Sequence, residues 1–545
     1  MSFPHSFGSH ASLAALVAAG ALLAAPLAAA QEAEHKYVLG DRLGTVEFPV
    51  ACAEAVQEDF NRAMALYHSF AWSHAGEAFD VIAEDDPACG MAHWGRAMVM
   101  LDNPFLWPGS LTPEKLDAIA AALDDARAAG LHDAREEGYV AAVEAFVRDR
   151  DSLDHPTRVT AFEERMGEVA EANPQDLEAA ILHALVTSAN FDPTDRTYAN
   201  QMRAAEILEP LFDEHPDHPG VAHYLIHTYD YPALAQQGLE AAKRYAEIAP
   251  GAAHAVHMPS HTFTRVGMWE DSIASNRTSA EVDGNATFNS HHALDYQVYA
   301  HLQLAQDQMA AEVLGQTEAL PPADHFAAAF AYAAMPARVA LEQDDWEGAE
   351  DLELRPAAGE FPWEKYPHAE AINAFARGVG AARVGDAEAA QEEQARLEAL
   401  REATGPAYWV EQVDIQADIV AALALCADDQ AENCIEALRE AAAREDATEK
   451  HVVTPGPILP AREILADILL ERDRPEEALT EYEAVLLKEP NRYRALAGAA
   501  QAAQDAGETE KASAHAEHLI SQVGAAGSER ASLDLVRGIA GAGQQ

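Results

Sequence analysis

Three histidine-rich segments, HYLIH (223–227), HAVHMPSH (254–261) and HHALDY (291–296), recur at a fixed interval along this chain. Two series of side chains, offset by four residues, each keep a spacing of 34 residues: His223, His257 and His291, and then His227, His261 and Asp295. An interval of 34 residues is the length of one helix-turn-helix repeat. Because residues i and i+4 share one face of a helix, the spacing predicts three successive helices that present these side chains in the same direction.

The composition favours helices throughout the chain. Of 545 residues, 49% are hydrophobic, and alanine dominates this fraction while β-branched residues are sparse. Alanine is the strongest helix former, and β-branched residues are the ones enriched in strands. We therefore expect an all-α protein whose helical periodicity begins near Ala53.

The charge excludes two classes of partner. Against 91 Asp and Glu the chain has only 36 Lys and Arg, which gives a formal net charge of -55. A nucleic acid needs clustered basic side chains to neutralise its phosphates. Anionic membrane surfaces are disfavoured for the same reason, and we expect neither partner.

The segment FNRAMALYHSFAWSHAGEAFDVIAEDDP (60–87) places Ala63, Ala75, Phe79 and Pro87 at intervals of twelve, four and eight residues. In this pattern it resembles the tetratricopeptide repeat family, in which small residues let two helices touch, an aromatic fills the gap between repeats, and proline ends the second helix. The same register recurs in further copies, which include 204–216, 229–250 and 478–490. The resemblance implies a superhelical solenoid of antiparallel helix pairs.

In that family the first helix of each repeat lines a concave groove. By the resemblance, all six residues of the two series fall at groove positions. We expect them to form a metal site: His223, His227, His257, His261, His291 and Asp295. Further ligand-binding residues are expected at neighbouring positions: His254, Arg265, Tyr231, Tyr299 and His292.

The chemistry of this set fits a divalent transition metal. Imidazoles on adjacent helices can converge, and three His with a carboxylate suit zinc, copper, iron or nickel. Asp295 would either bind the metal or orient an imidazole. Two alternatives remain open: a small anionic ligand or a peptide held by Arg265, the tyrosines and protonated His, and histidines that only hydrogen-bond between helices. HYLIH lacks the Glu of the zinc-protease motif HExxH.

The N-terminus has the pattern of an export signal. An apolar run from Ala11 to Leu27 precedes three alanines, which predicts a signal peptide over residues 1–30, with a membrane anchor as the alternative. The mature protein would then be periplasmic or secreted.

Four cysteines remain, an even number in a chain that we expect to be exported. Of the three possible connectivities we prefer the two sequential bonds, Cys52 to Cys89 and Cys426 to Cys434. Four buried thiols are the alternative.

Composition also predicts how the chain is divided. Residues 354–368 are rich in Pro and aromatics and would join an N-terminal array (31–353) to a C-terminal array (369–545). Residues 101–114 break the repeat pattern with Phe105, Leu106 and Trp107. They would form either a lid over the groove or an insertion packed against the edge of the solenoid.

HMPSH (257–261) and FTRVGMW (263–269) resemble a segment of an exported bacterial branch of these repeat proteins, for which no activity carries over. We expect an exported binding protein with a metal ion or metal-bridged ligand in its groove. Two alternatives stay open: a metal-dependent hydrolase or oxidoreductase on the same groove, and a scaffold that binds a protein or peptide there.

Overall fold

Helices follow one another through short turns along the part of the chain that a computed structural model describes, residues 42–192, 195–524, 528 and 530–542. The described residues all belong to one compact unit. The predicted signal peptide, residues 1–30, lies outside the described residues.

The described residues form 26 α-helices and four short 3-10 turns, at Glu54–Val56, Pro104–Leu106, Ala235–Gly238 and Trp363–Lys365. The helices are α1 (Gln57–His68), α2 (Trp72–Asp85), α3 (Gly90–Leu101), α4 (Pro113–Ala129), α5 (Ala134–Val147), α6 (His155–Ala172), α7 (Leu177–Ala189), α8 (Ala199–Glu214), α9 (Pro219–Thr228), α10 (Leu239–Ile248), α11 (Ala253–His257), α12 (Pro259–Arg265), α13 (Trp269–Val282), α14 (Phe288–Gln303), α15 (Asp307–Ala319), α16 (Phe326–Glu342), α17 (Trp346–Glu350), α18 (Pro367–Val384), α19 (Ala387–Ala403), α20 (Ala407–Ala427), α21 (Ala431–Asp446), α22 (Ala461–Glu471), α23 (Pro475–Lys488), α24 (Tyr493–Asp505), α25 (Thr509–Val523) and α26 (Ala531–Ala542).

The helices pack as a repeating series of pairs. Each helix contacts the next one in the chain, and in several places alternate helices also contact each other, as α14, α16, α18 and α20 do. This pattern places the first helices of successive pairs side by side in one layer and the second helices in another. The predicted all-α solenoid is confirmed, and no strand is present among the residues described.

Glycine lets one pair approach the aromatic plug of the pair before it. A Cβ atom at Gly95 of α3 would lie 2.3 Å from the Phe79 ring of α2. A Cβ at Gly498 of α24 would lie 2.3 Å from the Tyr482 ring of α23. In both copies the glycine comes 16 residues after the aromatic. In both copies the repeat therefore has a glycine, which lacks a side chain, at the position where the aromatic ring packs.

The helices after residue 369 also pack against the histidine-bearing part of the chain. Arg492 is fully buried and pairs with Glu342 and Glu463, at 2.7 Å in each case, while its guanidinium donates to the Tyr299 hydroxyl at 3.3 Å. Asn491 donates to the carbonyl of Val266 at 3.2 Å. The helices around residues 266–342 are therefore tied to those around residues 463–492 by polar contacts.

Residues 354–368 contain the 3-10 turn and two buried aromatics, Phe361 and Trp363. Across this segment α16 contacts α18 directly. The division into arrays at 31–353 and 369–545 stays a prediction.

The described part of the chain contains two disulfide bonds. Cys52 is bonded to Cys89, and Cys426 is bonded to Cys434. This is the sequential pairing preferred from the sequence, and no free thiol remains among the described residues. The second bond spans the turn between α20 and α21.

Candidate metal centre

Six histidines from three neighbouring first helices form one cluster. They divide into two groups of three whose ring nitrogens lie within 4.8 Å of one another: His223, His227 and His254 from α9 and α11, and His257, His261 and His292 from α11, α12 and α14. We call these the first and the second triad. Four of the six residues predicted as metal ligands are present, and the other two members, His254 and His292, were predicted to bind a ligand.

The second triad is assembled around a break in one helix. Pro259, which has no N–H to donate, separates α11 from α12. Across this break the Nε2 atoms of His257 and His261 lie 3.0 Å apart. The His292 ring of α14 lies 4.5 Å from the His257 ring, measured between centroids.

Hydrogen bonds on the outer nitrogens fix the protonation of His257 and His261. The Nδ1 atom of His257 donates to the Oδ1 atom of Asn276 at 2.6 Å, and the amide nitrogen of Asn276 is itself committed to the Ser272 carbonyl at 2.8 Å. The Nδ1 atom of His261 donates to the carboxylate of Asp230 at 2.9 Å.

A neutral imidazole carries one proton, so both Nε2 atoms present lone pairs to each other. Two lone pairs at this distance repel unless a cation lies between them. Two nitrogens bound to one tetrahedral zinc ion would stand about 3.4 Å apart.

The ring nitrogens of the first triad have fewer hydrogen-bond partners than those of the second. His223 donates from Nδ1 to the carbonyl of His68 at 2.6 Å, and its Nε2 lies 3.2 Å from the Nε2 of His254. Neither ring nitrogen of the buried His227 has a hydrogen-bond partner in the described part of the chain. Phe105 stacks on the His227 ring with 4.1 Å between centroids. The triad therefore offers unpaired nitrogen atoms beneath an aromatic cover.

Burial keeps these imidazoles neutral. It lowers the pKa of all six histidines, and for every one except His261 a neighbouring histidine lowers the pKa further. The pKa of His257 falls to about 3. For His261, hydrogen bonding to Asp230 opposes part of the effect of burial. Neutral imidazole is the form that binds a metal ion, so the cluster is in its binding form at pH 7.

A buried carboxylate, Asp230, supports His261 from outside the triad. It pairs with Arg265 at 2.9 Å and lies 3.4 Å from the Lys450 ammonium. Burial alone would raise the pKa of Asp230, but the charges of Lys450 and Arg265 hold it well below its usual value. Burial in turn lowers the pKa of Lys450 to about 8. Such a fixed acceptor sets the tautomer and the direction of a ligating imidazole.

A second buried carboxylate lies beneath the first triad. The two oxygens of Glu178 accept from His68 and His218, at 2.8 Å each, and His68 also meets the Tyr224 hydroxyl at 2.8 Å. The carbonyl of His68 is the acceptor for His223. We interpret this set as hydrogen-bonded support for the first triad, because the carboxylate already holds two N–H donors.

Two predicted metal ligands do not join the cluster. His291 donates to the carbonyl of Pro321 at 3.1 Å and packs against Tyr332, and Asp295 pairs with Arg338 at 3.2 Å. Burial raises the pKa of Asp295 to about 6, with Arg338 acting against it. The prediction that both residues face the site was therefore wrong.

The reason is a one-residue change of register. On α14 the cluster is faced by His292 and Tyr296, not by His291 and Asp295. One residue is about 100° around a helix. The α13–α14 connection has no proline: a turn at Gly284 is followed by the Thr287 cap of α14. The interval from His261 to its structural equivalent is therefore 35 residues.

The remaining predicted ligand residues are placed around the cluster and have protein partners. Arg265 is committed to Asp230. The Tyr231 hydroxyl accepts from Gln201 at 3.0 Å, and the Tyr299 hydroxyl accepts from Arg492. They do not converge as an anion site with the histidines. Arg265 does line a cavity of about 120 Å³, together with Tyr408, Trp409, Lys450 and Glu489.

Segments from elsewhere in the chain cover the cluster. Residues 447–460, which we call the crossing loop, join α21 to α22 and supply Lys450 to Asp230. The Tyr296 hydroxyl, 3.4 Å from the Nε2 of His261, donates to the crossing-loop carbonyl of Thr454 at 3.3 Å. On the other side, Phe105 belongs to residues 101–114, the segment predicted as a lid or an edge insertion. The predicted groove is thus partly filled by the protein itself.

Sequence reasoning missed several residues of the site. Tyr296 could have been found by allowing an interval of 35 residues after His261. Asp230 follows His227 by three residues but belongs to no periodic series, and Asn276 lies on the second helix of its pair. Lys450 is 220 residues from Asp230, and no local pattern connects them.

The described chain is thus an all-α helical-repeat solenoid with a cluster of six histidines, four of them buried and two half-buried. No protein-family model matches it, and no curated protein matches it in sequence. Among solved structures it is similar to yeast Tom70, with 12% identity over 83% of this chain and 89% of that chain and a TM-score of 0.35.

Two further structures are similar over most of their length. A Naa15/Naa10 complex bound to HypK-THB matches with 11% identity over 88% of this chain and 80% of that chain, at a TM-score of 0.25. The tetratricopeptide repeat domain of P58(IPK) matches with 13% identity over 84% and 99%, at 0.21. At such TM-scores these likenesses carry no functional argument. Among the described residues, no helix combines the length and the apolar character needed to cross a bilayer.

Proposed function

We propose that this protein is an exported helical-repeat protein that binds a late first-row transition metal ion through His257, His261 and His292. The observation that carries the proposal is the 3.0 Å approach of the Nε2 atoms of His257 and His261. Both of these histidines have their single proton committed on the opposite side of the ring. A metal ion bound to both nitrogens would replace their repulsion with two coordinate bonds.

The chemical type of the ligands narrows the choice of metal ion. Asp295, the carboxylate first expected in the set, is engaged by Arg338, so each triad offers only neutral imidazoles. Imidazole suits zinc, copper, iron and nickel, whereas carboxylate and carbonyl oxygens suit magnesium, calcium and manganese. The loss of the carboxylate disfavours an iron site of two histidines and one carboxylate. Copper and zinc remain the best candidates.

Export is part of the proposal. Residues 1–30 have the pattern of a signal peptide. The chain also has two disulfides, Cys52 to Cys89 and Cys426 to Cys434, and such bonds persist in oxidising compartments. The N-terminal sequence of protein recovered from the periplasm or the medium tests this part. A mature chain that still begins at Met1 would contradict it.

Elemental analysis of the purified protein tests metal binding. After incubation with zinc or copper and gel filtration, we expect stoichiometric metal in the wild type. His257→Ala and His292→Ala should each contain one metal ion per chain fewer than the wild type. The matched control is His291→Ala, because His291 adjoins His292 in sequence but faces Tyr332 instead of the cluster. Equal metal in all four proteins would refute the assignment.

A metal-dependent enzyme is a second candidate, favoured by one observation. Three protein ligands would leave a coordination position open on a bound metal ion, and the Tyr296 hydroxyl lies 3.4 Å from the Nε2 of His261, one of the three histidines that would hold it. In such an enzyme Tyr296 would hold or donate a proton next to the metal. Replacement by Phe should then reduce turnover while metal content stays constant. A plain peptide-binding groove is less favoured, because the crossing loop already fills part of it.

A further inference from the structure

We propose that His223, His227 and His254 bind a second metal ion and that the two triads together form a single dinuclear centre. This inference rests on the proposed function of the second triad. It adds a site and a relation between sites: two metal ions near enough to share one small bridging ligand.

The spacing of the rings shows no gap between the triads. Within the first triad, neighbouring ring centroids are 4.9 to 6.4 Å apart, and within the second they are 4.5 to 6.4 Å apart. Between the triads, His227 lies 6.2 Å from His261, and His254 lies 6.1 Å from His257. Six rings with one common spacing form one continuous site. Two-metal centres with shared ligands hold their ions at roughly 3.5–4 Å.

His227 shows that the first triad is built for a ligand. Its side chain is buried, and both ring nitrogens lack a partner in the described part of the chain. A buried polar group without a partner is destabilising. Phe105 stacks on one face of the ring. A metal ion shared with His223 and His254 satisfies one nitrogen and explains the alignment of the three rings.

Each triad also has a histidine that is hydrogen-bonded to a residue outside the cluster. His223 is held by the backbone carbonyl of His68, a residue whose ring is bound by Glu178, and His261 is held by Asp230. Each triad thus has its own fixed scaffold.

Charge predicts what bridges the two ions. Two divalent cations would bring four positive charges into a largely buried site in which the six ligands are neutral. The carboxylate of Asp230 is already shared with Arg265 and Lys450. A small anion between the metals, of which hydroxide is the simplest, lowers this charge and couples the ions electronically. The centre would therefore take a one- or two-atom oxygen ligand as its bridge.

Copper is the most informative probe, because the unpaired electron of an isolated Cu(II) ion gives a paramagnetic resonance signal and a bridged pair loses most of it. The full-length protein is stripped of metal, titrated with Cu(II) and measured by elemental analysis and spin resonance. We expect two copper ions per chain and a signal at least about tenfold below that of two isolated ions. His291→Ala should behave as the wild type.

Variants separate this inference from the proposed function. His227→Ala, or the half-buried His254→Ala if the first variant does not fold by circular dichroism, should retain one copper ion with full signal per ion. One copper ion in the wild type, lost in His292→Ala, would keep the proposed function and overturn the second site. Two ions with full signal would overturn the shared bridge. No bound copper or zinc would overturn both proposals.

Discussion

Acid should destabilise the metal-free protein through the histidine cluster. In the folded chain burial lowers the pKa of His257 to about 3, whereas an exposed histidine in the unfolded chain titrates near 6.5. Below pH 6.5 the unfolded state therefore binds a proton at His257 that the folded state does not bind. The folded state loses stability relative to the unfolded state as the pH falls from 6.5 towards 3, and this effect is absent above that range.

The size of the effect follows from the two pKa values. At pH 5 the unfolded histidine lies 1.5 pH units below its own pKa of about 6.5, which is worth about 2 kcal/mol of stability lost through His257 alone. The pKa values of the other five cluster histidines are lowered as well. The whole cluster should therefore cost more than this single group.

Urea unfolding of the metal-free protein at pH 7.5 and pH 5.0 measures the effect. The large acidic excess changes with pH on its own account, so the quantity to compare is the pH-dependent change in unfolding free energy between variants. His257→Gln, which cannot titrate, should lose about 2 kcal/mol less than the wild type over this interval. His132→Gln, at an exposed position, is the control and should match the wild type. Equal losses in all three proteins would refute the reasoning.

Three further predictions concern support and packing. Asp230→Asn should lower metal affinity about 10–100-fold, measured by chelator competition, and destabilise by about 3–5 kcal/mol, because it leaves buried cations unpaired. Its metal affinity should not recover when the protein is stabilised with an osmolyte. Gly95→Ala should cost about 1–3 kcal/mol by urea unfolding, since the new methyl group meets Phe79, whereas Gly76→Ala, with its nearest neighbour at 3.6 Å, should cost nothing. Replacing both Cys426 and Cys434 by Ser should lower the free energy of unfolding by about 2 kcal/mol.

The sequence predicted the architecture and most of the cluster because both depend on local periodicity. Helix pairs of constant length bring residues 34 apart to equivalent places, so the alignment of His223 with His257 and of His227 with His261 was accessible from spacing alone. The aromatic plug of Phe79 was accessible in the same way.

The prediction of His291 and Asp295 was wrong because the period was assumed constant through a connection without proline. A single residue gained there turns α14 by about 100° and presents His292 and Tyr296 in their place. Asp295 also had a stronger partner in Arg338, whose position on the next first helix no spacing rule indicates. Contacts that join distant parts of the chain, such as Lys450 with Asp230, depend on how the solenoid curves, and sequence patterns do not give that curvature.

The crossing loop also bears on how the protein folds. In an ordinary solenoid each repeat contacts only its neighbours, so stability adds along a line and one end can fray while the other stays folded. Here Lys450 reaches Asp230 and Arg338 holds the carbonyls of Gly456 and Pro457, more than a hundred residues away. Opening the crossing loop removes these contacts, so we expect the helices that carry Asp230 and Arg338 to lose stability together with it. The histidine cluster therefore obtains these supporting contacts only after the chain has been synthesised through the crossing loop.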